Sequence, residues 1–114
     1  MLKKGPERKD VIDIIIALKK KKKPLFEEIA KILSSARRSR PVVNVSKIAR
    51  FTHAKSVVVI PGKVLGSGAL EHAIDVVALD FSASAREKIE GVGGKCRDFK
   101  WLIEKGAREA ILLK

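Results

Sequence analysis

Val57-Val58-Val59-Ile60 is an unbroken β-branched run, and Pro61-Gly62 follows as its stop. A run with no polar alternation has no side to turn to water, so it reads as a buried strand. It also marks a change of period at Ser56. Upstream, apolar residues recur at helical spacing, whereas downstream they gather in strand-like runs.

Asp10 to Leu18 is predicted as a helix, because Val11, Ile14, Ile15 and Leu18 follow the i, i+3, i+4, i+7 pattern and Asp10 and Asp13 suit a positive first turn. Lys19, Lys20, Lys21, Lys22 and Lys23 crowd its carboxy-terminal end, where cations complement the dipole, and Pro24 disfavours helix at Lys23. Pro24 opens a second helix with Phe26, Ile29, Ile32 and Leu33 on its apolar face, ending near Ser34 or Ser35. A loop carries Arg37, Arg38 and Arg40 to Pro41, and Val42 and Val43 read as extended. Asn44 or Ser46 then caps a third short helix with Ile48 and Phe51 inward and Lys47 and Arg50 outward.

Beyond the buried strand, a glycine-rich loop from Gly62 to Gly68 leads to a second apolar strand, Ile74 to Phe81. Ser82 or Ser84 caps a helix toward Ile89, which Gly91, Gly93 and Gly94 end. Asp98 to Lys105 reads as a last short helix with Trp101 and Leu102 packed, and Glu109 to Leu113 as a final strand. No repeat of 20 to 50 residues is present.

The chain has 114 residues, a single-domain length, and its 25 Lys and Arg against 13 Asp and Glu leave a formal charge of +12. Residues 1–40 hold 13 basic and 5 acidic side chains, the remainder 12 and 8, so most of the excess lies in the first third. Three clusters carry it: Lys3, Lys4, Arg8 and Lys9; Lys19 to Lys23; and Arg37, Arg38 and Arg40. The first nine residues read as a basic tail. The longest apolar run, Ile14 to Leu18, is five residues, far short of the roughly 18 a membrane span needs, and no secretory signal pattern opens the chain. A soluble, cytoplasmic protein is expected. One cysteine, Cys96, and two histidines give neither a disulfide nor a zinc-ligand spacing. The lack of Gln and the single Asn, beside abundant Lys and Glu, follow a thermophile pattern.

Catalytic and nucleotide-binding patterns fail on spacing. A phosphate-binding loop needs Gly, four residues, then Gly-Lys-Ser/Thr, but Val64 follows Gly62-Lys63 and Cys96 follows Gly94-Lys95. Gly66 and Gly68 suit a dinucleotide fingerprint, yet Glu71 stands at its third glycine position. His53 and His72 have no nucleophile at motif spacing. Asp75 and Asp80 point to opposite faces of one strand, so salt bridges to cations are expected of them rather than shared acid–base work. No enzyme activity, cofactor or small-molecule substrate is expected.

The basic clusters point instead to a polyanion, since phosphate contacts release counterions and relieve self-repulsion. With Phe26, Phe51 and Trp101 assigned to apolar faces, no stacking platform for single strands is expected, which leaves phosphate and shape recognition of folded or duplex nucleic acid. Charge alone keeps two partners open: structured RNA, and duplex DNA bound in a chromatin-like way.

The stretch Val57-Val58-Val59-Ile60-Pro61-Gly62-Lys63-Val64-Leu65-Gly66-Ser67-Gly68, continued by Ile74 to Phe81 and Ser82-Ala83-Ser84-Ala85, resembles the eighteen-e family of archaeal large-subunit ribosomal proteins. These are counterparts of eukaryotic large-subunit protein eighteen and relatives of bacterial large-subunit protein fifteen. Upstream, Arg37-Arg38 and Val43-Asn44-Val45-Ser46-Lys47-Ile48 extend the likeness. It implies an α/β fold, an irregular stack of strand and helix units behind a helical amino-terminal part, in one small domain over residues 1–114. It also implies a non-catalytic role on large-subunit ribosomal RNA beside neighbouring ribosomal proteins. Carried over by position, Arg37, Arg38, Lys47, Arg50 and Lys63 are expected to face RNA, and Gly66, Ser67 and Gly68 to meet RNA or a neighbouring protein. Lys3, Lys4, Arg8, Lys19 to Lys23 and Arg40 join them on charge alone.

Overall fold

The computed structural model describes residues 9–35, 40–106 and 110–114, the side chains of 9 and 10 excepted. Lys3, Lys4, Arg8, Arg37, Arg38 and Glu109 lie outside the described residues. The chain divides into two compact units, Met1–Arg40 and Pro41–Lys114.

The first unit is a helical hairpin of α1 (Lys9–Lys20) and α2 (Pro24–Ser34), packed on each other. The apolar spacing explains which faces close: Val11 and Leu18 of α1, and Phe26, Ile29, Ala30 and Leu33 of α2, are buried, and Ile14 and Ile15 are half-buried. Pro24 starts α2, where its missing N–H leaves nothing unsatisfied. The turn between the helices is all lysine. Lys21 and Lys22 donate their backbone N–H groups to the Leu18 and Lys19 carbonyls at 3.2 and 3.3 Å, and Lys22 takes a left-handed φ of 54°.

The second unit is a five-stranded, wholly parallel sheet with helices: β1 (Val42–Asn44), α3 (Val45–Phe51), β2 (Val57–Leu65), β3 (Asp75–Phe81), α4 (Ala83–Gly91), β4 (Lys95–Arg97), α5 (Phe99–Lys105) and β5 (Ile111–Leu112). The expected α/β class holds. Strand order is β1-β2-β3-β4, with β5 also on β2. Because β3 lines one edge of β2, β5 and β1 share the other: β5 pairs Val58 and Val59, and β1 pairs Lys63 to Leu65.

Side chains alternate along the strands. Val58, Ile60, Val64, Val76 and Ala78 join one core with Val43, Val45, Ile48, Leu70, Ile74, Ala85, Ile89 and Leu113. Val59 and Val77 point the other way, and Phe99 and Leu102 of α5 are likewise buried outside that cluster. Both later helices are capped as their sequences dictate. Ser82 Oγ accepts from the Ala85 N–H at 3.1 Å, and Asp98 Oδ1 from the Trp101 N–H at 2.9 Å.

Three expectations change. First, Pro61-Gly62 does not end the buried strand. β2 runs on to Leu65, and its register against β3 slips by one residue between Ile60 and Lys63, a bulge that absorbs the proline. The continuation comes from long-range pairing: the Lys63 N–H donates to the Pro41 carbonyl at 3.1 Å, and that carbonyl fills the space where a Cβ on residue 62 would sit. The glycine-rich loop therefore shrinks to the residues after Leu65. Second, Phe51 is 54% exposed rather than inward. The inner face of α3 is Val45, Ile48, Ala49 and Thr52, and at about 100° per residue Phe51 lies about 110° from its centre. Third, β4 is a strand where only a glycine-marked helix end was expected. Gly94 lets it form, since a Cβ there would come within 2.6 Å of the Ile74 carbonyl oxygen.

Candidate nucleic-acid interface

The lysine turn is the most cationic element described. Lys19, Lys20, Lys21, Lys22 and Lys23 are all exposed, and among the described residues none forms an ion pair. Lys23 stands 5.8 Å from the Phe26 ring centroid. Beside the turn lies an open basin of about 680 Å³ lined by Lys19, Lys22, Glu27, Lys31, Ser34 and Ser35. The Ser34 and Ser35 hydroxyls direct their protons to the Ala30 and Ile32 carbonyls, so the donors left for an anion are the three ammonium groups, tempered by one carboxylate. Lys31 was not anticipated. Its place follows from the hairpin, which brings α2 alongside the end of α1. Arg40, the last residue of this unit, donates from Nη2 to the Leu33 carbonyl at 2.9 Å.

In the second unit the expected cations are partly engaged within the chain. Lys47 Nζ donates to the Lys114 carbonyl at 2.9 Å. Lys63 sits opposite Asp80 in the β2–β3 register and forms a 3.8 Å ion pair with it, both side chains about half exposed or more. Such exposed pairs contribute little, roughly 0–1 kcal/mol. Asp75 pairs with Arg97 at 3.2 Å, so both strand carboxylates meet cations as expected. Arg50 is exposed, with its guanidinium 6.0 Å from the Phe51 ring centroid.

The loop after β2 is held from three sides. The Ser67 carbonyl accepts from the Ser46 N–H at 3.1 Å, and Asn44 Oδ1 accepts from the Ser67 N–H at 3.3 Å. Asn44 thus stands at the cap position of α3 while its side chain ties down the loop instead. Lys88 of α4 donates to the carbonyls of both Gly66 and Gly68, a role no sequence spacing signalled. Each glycine has a packing reason. A Cβ at 66 would strike Ser84 and Ala85, and one at 68, where φ is 98°, would strike Ser46. Ser67 and Gly68 nevertheless remain exposed, and Gly66 half-exposed.

Aromatic placement departs from the expectation of no platform. Phe51 is exposed, and Trp101 is half-buried with the Arg97 guanidinium 4.7 Å and the Lys105 ammonium 5.9 Å from its ring. Cys96 is half-buried, and burial raises its thiol above the ordinary value, with Arg86 lowering and Glu90 raising it further. Among the described residues, no three His, Cys, Asp or Glu side chains converge on a metal site, and no helix is long and apolar enough to cross a membrane.

A parallel sheet bearing a pinned glycine loop, preceded in the chain by a lysine-capped helical hairpin, defines a small basic α/β protein. Residues 26–97 match the family described as the 50S ribosomal proteins fifteen and eighteen-e and the 60S ribosomal protein twenty-seven-A, and the chain belongs to that family. It is similar to proteins named large ribosomal subunit protein eL18. The Sulfurisphaera tokodaii protein is 52% identical over 82 residues, covering 72% of this chain and 70% of its own. That of Methanothermobacter thermautotrophicus is 41% identical over 99 residues, 83% and 82% of the two chains. That of Archaeoglobus fulgidus is 37% identical over 109 residues, 95% and 93%.

Proposed function

We propose that this chain is a structural constituent of the large ribosomal subunit that binds and stabilises folded large-subunit ribosomal RNA. It grips phosphates and shape rather than reading sequence, works beside neighbouring ribosomal proteins in the cytoplasmic ribosome, and needs no catalytic group, cofactor or small-molecule substrate. Residues 1–114 act as one domain, with the first nine as a basic tail.

The observation that carries this reading is the lysine turn: five adjacent ammonium groups, all exposed and without ion pairs among the described residues. A dense anion relieves their mutual repulsion and releases its own counterions in doing so, and a phosphate backbone is such an anion. Family membership favours ribosomal RNA as that anion. The second unit offers contacts of its own through Arg50 and the exposed Ser67 and Gly68, with Lys47 and Lys63 as further cations.

The native protein is expected to co-sediment with the large subunit at low and moderate salt; sedimentation apart from it would sink the reading. Replacing Lys19, Lys20 and Lys21 with Ala should lower the log–log salt slope of RNA binding by roughly 2 to 3 units. Binding to duplex DNA and to structured ribosomal RNA, compared at one salt concentration, separates this role from a chromatin-like one. A clear DNA preference would favour the latter.

A further inference from the structure

Phe51 is an anomaly of packing. Val45 and Ile48 of the same helix are fully buried, yet the larger ring is 54% exposed. Among the described residues, the other exposed large apolar side chains are Ile12, Ile16 and Val42, none of them aromatic and none in this turn.

The backbone that presents the ring is held firmly. Thr52 Oγ1 donates its one proton to the Ile48 carbonyl at 2.7 Å, so its 2.8 Å contact with His72 Nε2 requires that nitrogen to carry the hydrogen and donate. The His53 N–H donates to Ser56 Oγ and the Ser56 N–H to the His53 carbonyl, each at 3.1 Å. The Lys55 N–H donates to the Ala73 carbonyl at 2.8 Å, with Lys55 itself in a left-handed conformation at φ 70°. A backbone held in this way need not reorganise when the ring it carries is covered.

Charge then says what covers it. Residues 45–56 contain Lys47, Arg50 and Lys55 and no acidic residue, and the Arg50 guanidinium stands 6.0 Å from the ring centroid. Among the described residues no other large apolar side chain of this turn is exposed, so no contiguous apolar patch marks it as a protein-docking face. An exposed aromatic ring with one guanidinium over it, in a segment that carries cations and no carboxylate, matches a nucleobase with its flanking phosphates.

We propose that Phe51 is a stacking site for one unstacked nucleobase of RNA, with Arg50 and Lys55 positioned for the adjoining phosphates. This rests on the ribosomal-RNA reading above and adds a contact to a base that the phosphate-and-shape reading does not contain.

The test measures binding to large-subunit ribosomal RNA over a salt series for the wild type, Phe51→Ala, Phe51→Leu and Phe51→Trp. Phe51→Ala should weaken binding about tenfold, the order expected for one base–aromatic stack, with the salt slope unchanged because no phosphate contact is lost. Phe51→Leu should not restore affinity, and Phe51→Trp should. In a Trp101→Phe background, the new Trp emission should also be quenched on binding. Because the ring is exposed, all variants should keep the wild-type thermal melt. Equal binding by the wild type and Phe51→Ala overturns the proposal and leaves the ribosomal-RNA reading intact. Full affinity in Phe51→Leu overturns it too, since an apolar contact without a stacking face would then suffice. A wild type that fails to bind the RNA overturns both readings.

Discussion

Lys22→Gly should make the protein more stable and a weaker RNA binder, two effects of opposite sign from one side chain. Lys22 closes the α1–α2 turn at φ 54°, where an L-residue is disfavoured by roughly 1–2 kcal/mol and glycine is not. Glycine gives back roughly 0.5–1 kcal/mol through its freer unfolded chain. The net gain is about 0.5–1 kcal/mol, or about 2–4 °C in melting temperature for a chain of this length. Removing one ammonium from the turn and its basin should meanwhile lower the salt slope of RNA binding by about 0.7–0.9 units. Thermal denaturation followed by far-UV circular dichroism reads the first effect, and RNA titrations from about 50 to 200 mM salt read the second. A lower melting temperature would mean that the Lys22 stem contributes packing that outweighs its strained backbone. An unchanged slope would mean that the turn does not meet phosphate, and the reasoning behind the proposed function would fail at its strongest point.

Gly62→Ala should destabilise the protein by about 1–3 kcal/mol in guanidinium unfolding, because its methyl group must displace the Pro41 carbonyl and with it the entry to β1. Lys88→Met should lose about 1–2 kcal/mol, since the carbonyls of Gly66 and Gly68 lose a charged donor that is itself partly exposed; amide exchange at Ser67 and Gly68 should accelerate, and unchanged exchange would deny Lys88 its pinning role. The folded Cys96 thiol holds its proton more tightly than the unfolded one, so its stabilising share is complete below the unfolded thiol value of about 8.5 and is lost as pH rises through the folded value. Above about pH 8.5 the wild-type melting temperature should fall faster than that of Cys96→Ala, and parallel profiles would contradict this. If residues 1–114 are one domain, Trp101 fluorescence, which reports on the second unit, and far-UV dichroism, which reports on both, should give the same unfolding midpoint.

What could be read from the sequence was whatever a few neighbouring residues decide. The buried faces of α1 and α2, the cap at Ser82, one of the two serines expected there, and the strand character of Val57 to Ile60 depend on local period and local donors, and they stand as expected. What escaped depends on distant partners. Pro61-Gly62 signals a stop by its local chemistry, yet the Pro41 backbone carries pairing past it. Lys95-Cys96-Arg97 has no strand pattern of its own and becomes β4 only because β3 offers an edge. Phe51 was misplaced because it stands three residues from Ile48 at helical spacing, whereas the observed inner face also takes in Val45 and Ala49 and turns away from the ring. Of the site, the lysine turn was plain from composition, but the basin with Lys31 and the pinning by Lys88 arise only when helices meet.

The edge of β2 that β5 and β1 divide between them also orders events in time. During synthesis β1 emerges before β2 and β3 soon after it, whereas residues 111–112 come last of all the strands. Until they arrive, Val58 and Val59 hold unpaired backbone groups along a strand of high β-propensity, an invitation to pair with the wrong chain. The newborn protein is therefore most exposed to misassembly after β2 and β3 have emerged and before β5 has. On the proposed role, an early hold on RNA through the lysine turn would keep that unpaired edge away from other copies of the chain.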